Sequence, residues 1–182
     1  DGYWDDSGQT ALGFAEIEGR RWLRTGDIVE VTDDGFLVYH DRIKQLLVLS
    51  TGQTIAPRPI EDLFATVDRI DQIMVVGDDK KFVGAVIVPD FAELSRIADK
   101  EGVDLPEDPA AQCNHEAVHR WIQAAVDEAN TELKPTERIK SFELVAETWT
   151  MHNNLFTLSM QKKRHNIHQE FAATVDAIYA DT

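Results

Sequence analysis

One cysteine, Cys113, is all that the 182 residues contain. No internal disulfide can form, which excludes a small disulfide-stapled scaffold and agrees with a reducing cytoplasm. Basic residues are scarce too: 18 Lys and Arg stand against 33 Asp and Glu, a formal net charge of -15. A nucleic-acid binder needs a basic face to displace counterions, and anionic membranes attract cations, so this balance argues against both partners. No apolar run approaches the roughly 20 residues that a membrane-spanning helix needs. The acidic start is no signal peptide. Internal repeats and low-complexity segments are missing as well. What the chain does have is 43% hydrophobic residues, enough for a core in one or two compact units.

Its organising stretch runs from Arg24 to Glu61. Three short runs, Ile28–Val31, Phe36–Tyr39 and Leu46–Leu49, are too short for helices and are bounded by Gly, Asp or Ser, so each reads as a strand. Asp33-Asp34-Gly35 supplies a hairpin turn between the first two. Asp27 and Arg42 fall on neighbouring turns. A carboxylate accepts hydrogen bonds from a vicinal diol such as a ribose, and a guanidinium fork suits phosphate or ribose oxygens. Together they would suit a nucleotide; alternatively they are solvated, or paired with each other.

The first 20 residues read as a loop and a short helix capped by Ser7. The opening Asp1-Gly2-Tyr3-Trp4 reads as cut from a longer chain, and Tyr3, Trp4 and Trp22 have no core of their own. Beyond Lys44 the pattern is α/β. A helix is expected over 58–67, with Pro57 and Pro59 suited to its first turn. Strands follow at 72–76 and 82–88, then a helix over 91–100, a loop over 103–113 and a helix over 115–133 ended by Pro135. A strand at 142–145, a loop over 147–161 and a last helix over 162–179 complete the order.

Lys162-Lys163-Arg164 is the densest basic cluster of an acidic chain, at an expected helix start where cations oppose the macrodipole. That placement points to a nearby polyanion; the plainer alternative is a solvated helix start pairing with Glu170. His115-Glu116-Ala117-Val118-His119 fits the H-E-x-x-H pattern of zinc hydrolases, with both imidazoles on one helical face. Catalytic zinc needs a third ligand, and neither Glu128, Glu132 nor Glu137 is marked as one. Solvated polar residues on an amphipathic helix explain it better, and no metal ligand is assigned.

Arg24-Thr25-Gly26-Asp27, Asp34-Gly35-Phe36, Asp41-Arg42-Ile43-Lys44 and Gly52…Pro57…Ile60-Glu61 resemble, in order and spacing, the core of the AMP-forming adenylating enzymes. Trp149-Thr150…Asn154-Leu155-Phe156-Thr157…Ser159…Lys163-Arg164 is similar to the end of the long-chain fatty acyl-CoA synthetase branch. Two positions depart: Leu158 stands for the usual Pro, and Gln161 for the first tail lysine. The resemblance implies the C-terminal fragment of an ATP-dependent acyl-CoA ligase, with ATP, a fatty acid and CoA as substrates and Mg2+ arriving with ATP. It implies Asp27 and Arg42 on the nucleotide, Lys44 as hinge, Gly52 on the CoA pantetheine and Lys163 as the adenylation lysine. Lys44 could equally be a surface lysine, Gly52 a turn glycine, and Glu61 a complement to a helix N-terminus.

The expected fold is α/β (α+β). A β-rich remnant of the large N-terminal domain covers 1–41, a hinge 42–44, and a small mobile domain with a mixed sheet and flanking helices 45–182. The missing large domain is the implied partner, and it would carry the phosphate loop and acyl pocket, so the fragment alone is expected to be inactive. The implied location is cytoplasmic, with any membrane attachment left to the missing part. The alternative from another class is a non-catalytic α/β interaction domain.

Overall fold

The structure, a computed structural model, describes residues 2–180; Asp1, Asp181 and Thr182, at the ends of the expected domains, lie outside them. The chain divides into two compact units between Gln45 and Leu46. In order the elements are α1 (Ser7–Gly13), β1 (Phe14–Ile17), β2 (Arg20–Leu23), β3 (Asp27–Val31) and β4 (Leu37–Arg42). A 3-10 turn (Ile43–Gln45) follows, then β5 (Leu47–Val48), β6 (Thr54–Ile55), α2 (Pro57–Phe64), β7 (Ile70–Val76) and β8 (Gly84–Pro89). The rest is α3 (Phe91–Glu101), α4 (Pro109–Cys113), α5 (Glu116–Asn130), β9 (Ser141–Leu144), α6 (Arg164–Glu170) and α7 (Ala172–Ile178). The mixed α/β class is as expected.

The first unit is two antiparallel hairpins behind a short helix. Asp6 rather than Ser7 caps α1, its Oδ1 accepting the Gln9 N–H at 2.7 Å. The β1–β2 hairpin replaces the expected loop. Its turn, Glu18-Gly19, has positive φ at both residues, a geometry the sequence announces through Asn-Gly or Asp-Gly rather than Glu-Gly. The β3–β4 hairpin turns as expected, with Gly35 at φ +83 and its N–H bonded to Thr32 O at 2.8 Å. Among the described residues of this unit only Asp41 is buried; Trp4, Trp22, Leu23, Val31, Phe36 and Leu37 are all exposed.

The second unit is built on the sheet β7-β8-β9, with β8 in the middle, antiparallel to β7 and parallel to β9. All six residues of β8 are buried, as a central strand covered on both faces requires. Alternation along β7 and β8 sorts the side chains into two cores. Ile73, Val75, Ala85 and Ile87 face a cluster with Ile60 and Phe64 of α2, Leu94 of α3 and Val118, Ile122 and Val126 of α5. Met74, Val76, Val86 and Val88 face Trp149, Leu155, Ile167, Val175 and Ile178. Two layers of helix and loop therefore enclose one sheet.

Element ends differ from the sequence pattern where side chains intervene. α5 stops at Asn130, whose carboxamide clamps Ile139 through two 2.9 Å bonds, short of the expected end at Leu133. The loop over 103–113 holds α4, capped by Asp108. The last helix is two, broken at Phe171 (φ -104, ψ 30); of the four residues whose spacing predicts burial, Ile167, Val175 and Ile178 are buried and Phe171 is only partly so.

Helix α7 comes so close to β8 that a Cβ on Gly84 would lie 2.7 Å from Ile178 Cγ2 and 2.9 Å from the Tyr179 hydroxyl. Burial pushes that hydroxyl up to a pKa of about 12. Overpacking a buried site typically costs about 1–3 kcal/mol. Gly84→Ala is expected to lower the unfolding free energy by about 2 kcal/mol in urea, and Ile178→Ala should add less on top of it than it costs alone. Strict additivity would contradict the contact.

Candidate functional site

The charged residues singled out in the sequence occupy two places, one in each unit. In the first unit Gly26, at φ +75, immediately precedes β3. Its carbonyl accepts the Ile43 N–H at 2.8 Å, and Thr25 Oγ1 accepts the Asp27 N–H at 3.2 Å. These bonds seal the open end of the hairpin. Asp27 and Arg42 are therefore not on neighbouring turns; they are cross-strand partners, with Arg42 Nε donating to Asp27 Oδ1 at 3.1 Å. The neighbouring Asp41 is fully buried and accepts the Arg42 N–H at 2.7 Å, which fixes the backbone beneath the pair. The contact uses one carboxylate oxygen and the Nε proton. Its Arg42 side is largely exposed, so solvent screening keeps it weak and a hydroxyl or phosphate oxygen can compete for it.

Lys44 is exposed, in the middle of the 3-10 turn that precedes the division between the units. Gly52 lies in the turn joining β5 to β6, its N–H bonded to Leu49 O at 2.8 Å. Its φ of +83 demands glycine, while the space around it does not: no heavy atom approaches within 4 Å of where a Cβ would be. The turn is braced by the 77–80 loop, through Asp79 N–H to Val48 O at 2.8 Å and Ser50 N–H to Lys80 O at 2.9 Å.

The basic cluster is sorted by one carboxylate. Glu61, 7% exposed, projects from α2 into the interior of the second unit, to which α2 belongs. Its Oε2 accepts Lys162 Nζ at 2.7 Å, and its Oε1 accepts Arg164 at 2.5 Å and the Val75 N–H at 2.9 Å. Arg164 also donates to the Val75 carbonyl. The outward main-chain groups of Val75, on the edge of β7, thus meet side chains instead of water. Glu61, and not the Glu170 of the plainer alternative, is the acid that the cluster faces. Lys163, the residue before α6, takes a different course: its Nζ donates to the neutral Asn154 Oδ1, and its N–H to Leu155 O at 2.8 Å.

Glu61 matches the family pattern but carries no assigned role in the sequence, because a glutamate near a helix N-terminus has a simpler explanation. Its signal was its phase. Pro57, Ile60, Glu61 and Phe64 are the buried residues of α2, at helical spacing, so a charge stands in the apolar stripe. The His115/His119 pair also differs from its pattern. His115 precedes α5 as its cap, its Nδ1 accepting the Ala117 N–H, and His119 Nε2 lies 2.7 Å from Cys113 O. Only His119 lies within α5, and among the described residues no group of three or more His, Cys, Asp or Glu is placed to hold a metal. Burial pushes the Cys113 thiol up to about 11, so it is an inert core residue.

Breaking a buried pair by removing one partner costs about 3–5 kcal/mol, because a charge is left uncompensated. Glu61→Gln is therefore expected to lower the unfolding free energy by about 3 kcal/mol. The loss should persist in 1 M NaCl, since burial shields the pair from screening. A deficit that vanishes in salt would show the network to be solvated.

Comparison with known proteins gives a consistent result. Residues 44–182 match the family model described as AMP-binding enzyme C-terminal domain. The long-chain-fatty-acid–CoA ligase FadD15 of Mycobacterium tuberculosis is 32% identical over 185 residues, covering 98% of this chain and 29% of that protein. Human long-chain-fatty-acid–CoA ligase 1 is 30% identical over 182 residues, covering 98% and 25%. The chain spans less than a third of the length of the curated relatives it matches. Among solved structures, the A domain of carboxylic acid reductase from Segniliparus rugosus, in complex with AMP and a co-purified carboxylic acid, superposes with a TM-score of 0.77 at 26% identity, over 99% of this chain and 26% of that one. A Mycobacterium tuberculosis fatty acyl CoA synthetase, at 22% identity and a TM-score of 0.52, shares the fold.

Proposed function

The chain belongs to the family of AMP-binding enzyme C-terminal domains, and from that premise we propose that it is the C-terminal part of an ATP-dependent, AMP-forming ligase joining a long-chain fatty acid to CoA. The names of the curated relatives support the acyl class. The observation that carries the reading is the sorting of the basic cluster: Lys162 and Arg164 are committed to Glu61, while Lys163 ends on a neutral acceptor and keeps its charge for an anion.

In this reading Asp27 accepts from the ribose hydroxyls and Arg42 donates to the ribose or phosphate oxygens, each exchanging its present partner for the nucleotide. Lys163 reaches the α-phosphate and the acyl carboxylate. A point cation there offsets the charge that shifts toward pyrophosphate as the carboxylate attacks phosphorus. Mg2+ accompanies ATP, with no ligand assigned to it in this chain. The domain then turns about Lys44 and offers the Gly52 turn to the pantetheine of CoA for thioester formation. The likeness to the carboxylic acid reductase A domain favours a second reading, in which the same adenylate passes to an acceptor other than CoA. Dependence of acyl transfer on CoA separates the two.

Losing one preorganised electrostatic contact costs about a hundred- to a thousand-fold in rate. In the longer protein carrying this chain, Lys163→Ala should slow pyrophosphate release by about that factor and leave thioester formation from pre-made acyl-adenylate near wild type. Lys162→Ala should affect the first step only modestly. If Lys162→Ala abolishes adenylation and Lys163→Ala does not, the role belongs to the other lysine. Lys44→Pro fixes φ and removes a donor; it should spare adenylate formation and depress the CoA step. Equal losses in both steps would count against a pivot.

A further inference from the structure

We infer that Asn154 is the positioning residue for Lys163, an inference that rests on the adenylation reading of that lysine. A lysine ammonium on a four-carbon stem samples many rotamers, so its delivery to one point needs a second anchor. Lys163 is held twice by consecutive residues. Its N–H donates to Leu155 O at 2.8 Å, and its Nζ donates to Asn154 Oδ1. Leu155 is 3% exposed and sits in the core beside Trp149, so the main-chain anchor is rigid.

The turn that presents Asn154 is itself over-determined. The Thr150 N–H and hydroxyl both meet Asn153 Oδ1, at 2.9 and 3.1 Å, and Asn153 Nδ2 reaches Thr148 O at 2.9 Å. Leu155 and Phe156 N–H both return to Thr150 O, at 3.1 and 2.9 Å. Asn166 of α6 donates to Asn154 O at 2.9 Å, tying the turn to the helix that follows Lys163. Asn154 has φ +62, a left-handed conformation that glycine adopts freely and asparagine tolerates. Glycine would satisfy the backbone; the carboxamide adds an acceptor directed at Nζ.

The chemistry of that acceptor separates the two neighbouring lysines. Lys162 ends on the Glu61 carboxylate, which neutralises it. Asn154 offers a dipole instead, which orients the ammonium and leaves its full positive charge for a phosphate.

The test has two arms. In this chain, lysines are reductively methylated with 13C, and the Lys163 signal is assigned through Lys163→Arg. Asn154→Gly keeps the backbone conformation and removes the acceptor. The Lys163 signal is then expected to narrow and move to the position of solvated lysines, whereas Asn154→Asp holds it in place. An unmoved signal in Asn154→Gly overturns the contact, whatever the activity. In the longer protein, Asn154→Gly should lower the adenylation kcat about tenfold, the scale of one hydrogen bond to a charged group, with KM for ATP and the thioester step retained. Asn154→Asp should leave adenylation slow despite its held signal, because the lysine charge is now neutralised. If Lys163→Ala abolishes adenylation while Asn154→Gly runs at the wild-type rate, the positioning role falls and the lysine reading stands. If Lys163→Ala itself leaves adenylation intact, both fall.

Discussion

A carboxylate cannot be left alone in a protein interior, and the second unit is arranged around that rule. Burying Glu61 in the apolar stripe of α2 would be prohibitive without compensation. It is offset by a guanidinium, an ammonium and one backbone N–H. Those donors come from β7 and from the segment entering α6. One side chain therefore joins the helix on one face of the sheet, the edge strand and the last helical pair. The same arrangement decides which member of the basic cluster is consumed structurally and which is not.

The second unit was legible because its strongest signals are local and repeated. The uninterrupted apolar run of β8 and the alternation of β7 fix a buried sheet, and α3 and α5 have helical spacing over more than ten residues. What failed was termination. Asn130 ends α5 through a side chain that bonds nine residues downstream, and Phe171 breaks the last helix with no Gly or Pro to announce it. The β1–β2 hairpin escaped for a similar reason, since Glu18 accepts a positive φ that its residue type disfavours.

For the candidate site the sequence supplied residue identities and the structure supplied partners. The sequence left Asp27 and Arg42 as nucleotide ligands, as solvated groups or as partners of each other, and the hairpin register sets them side by side as a cross-strand pair. Lys163 and Lys162 are chemically alike in sequence; acids and amides about a hundred residues upstream or a turn away distinguish them. The H-E-x-x-H pattern, set aside as a metal site in the sequence, shows the limit of spacing in another way. Its spacing presumes a helix that has already begun, and here the first histidine is the cap.

The sequence separation of 103 between Glu61 and Arg164 has a consequence for how the domain is made. Synthesis runs from the N-terminus at about 5–20 residues per second, so Arg164 is made roughly 5–20 s after Glu61. Until Ser141–Leu144 is made, β8 lacks the parallel neighbour that runs beside Gly84, and until Lys162 is made the carboxylate lacks its cations. A nascent chain thus carries an open strand edge and a charge that forbids its own burial. The folded arrangement of Glu61 with Lys162 and Arg164 is therefore a contact that only the later segment can complete.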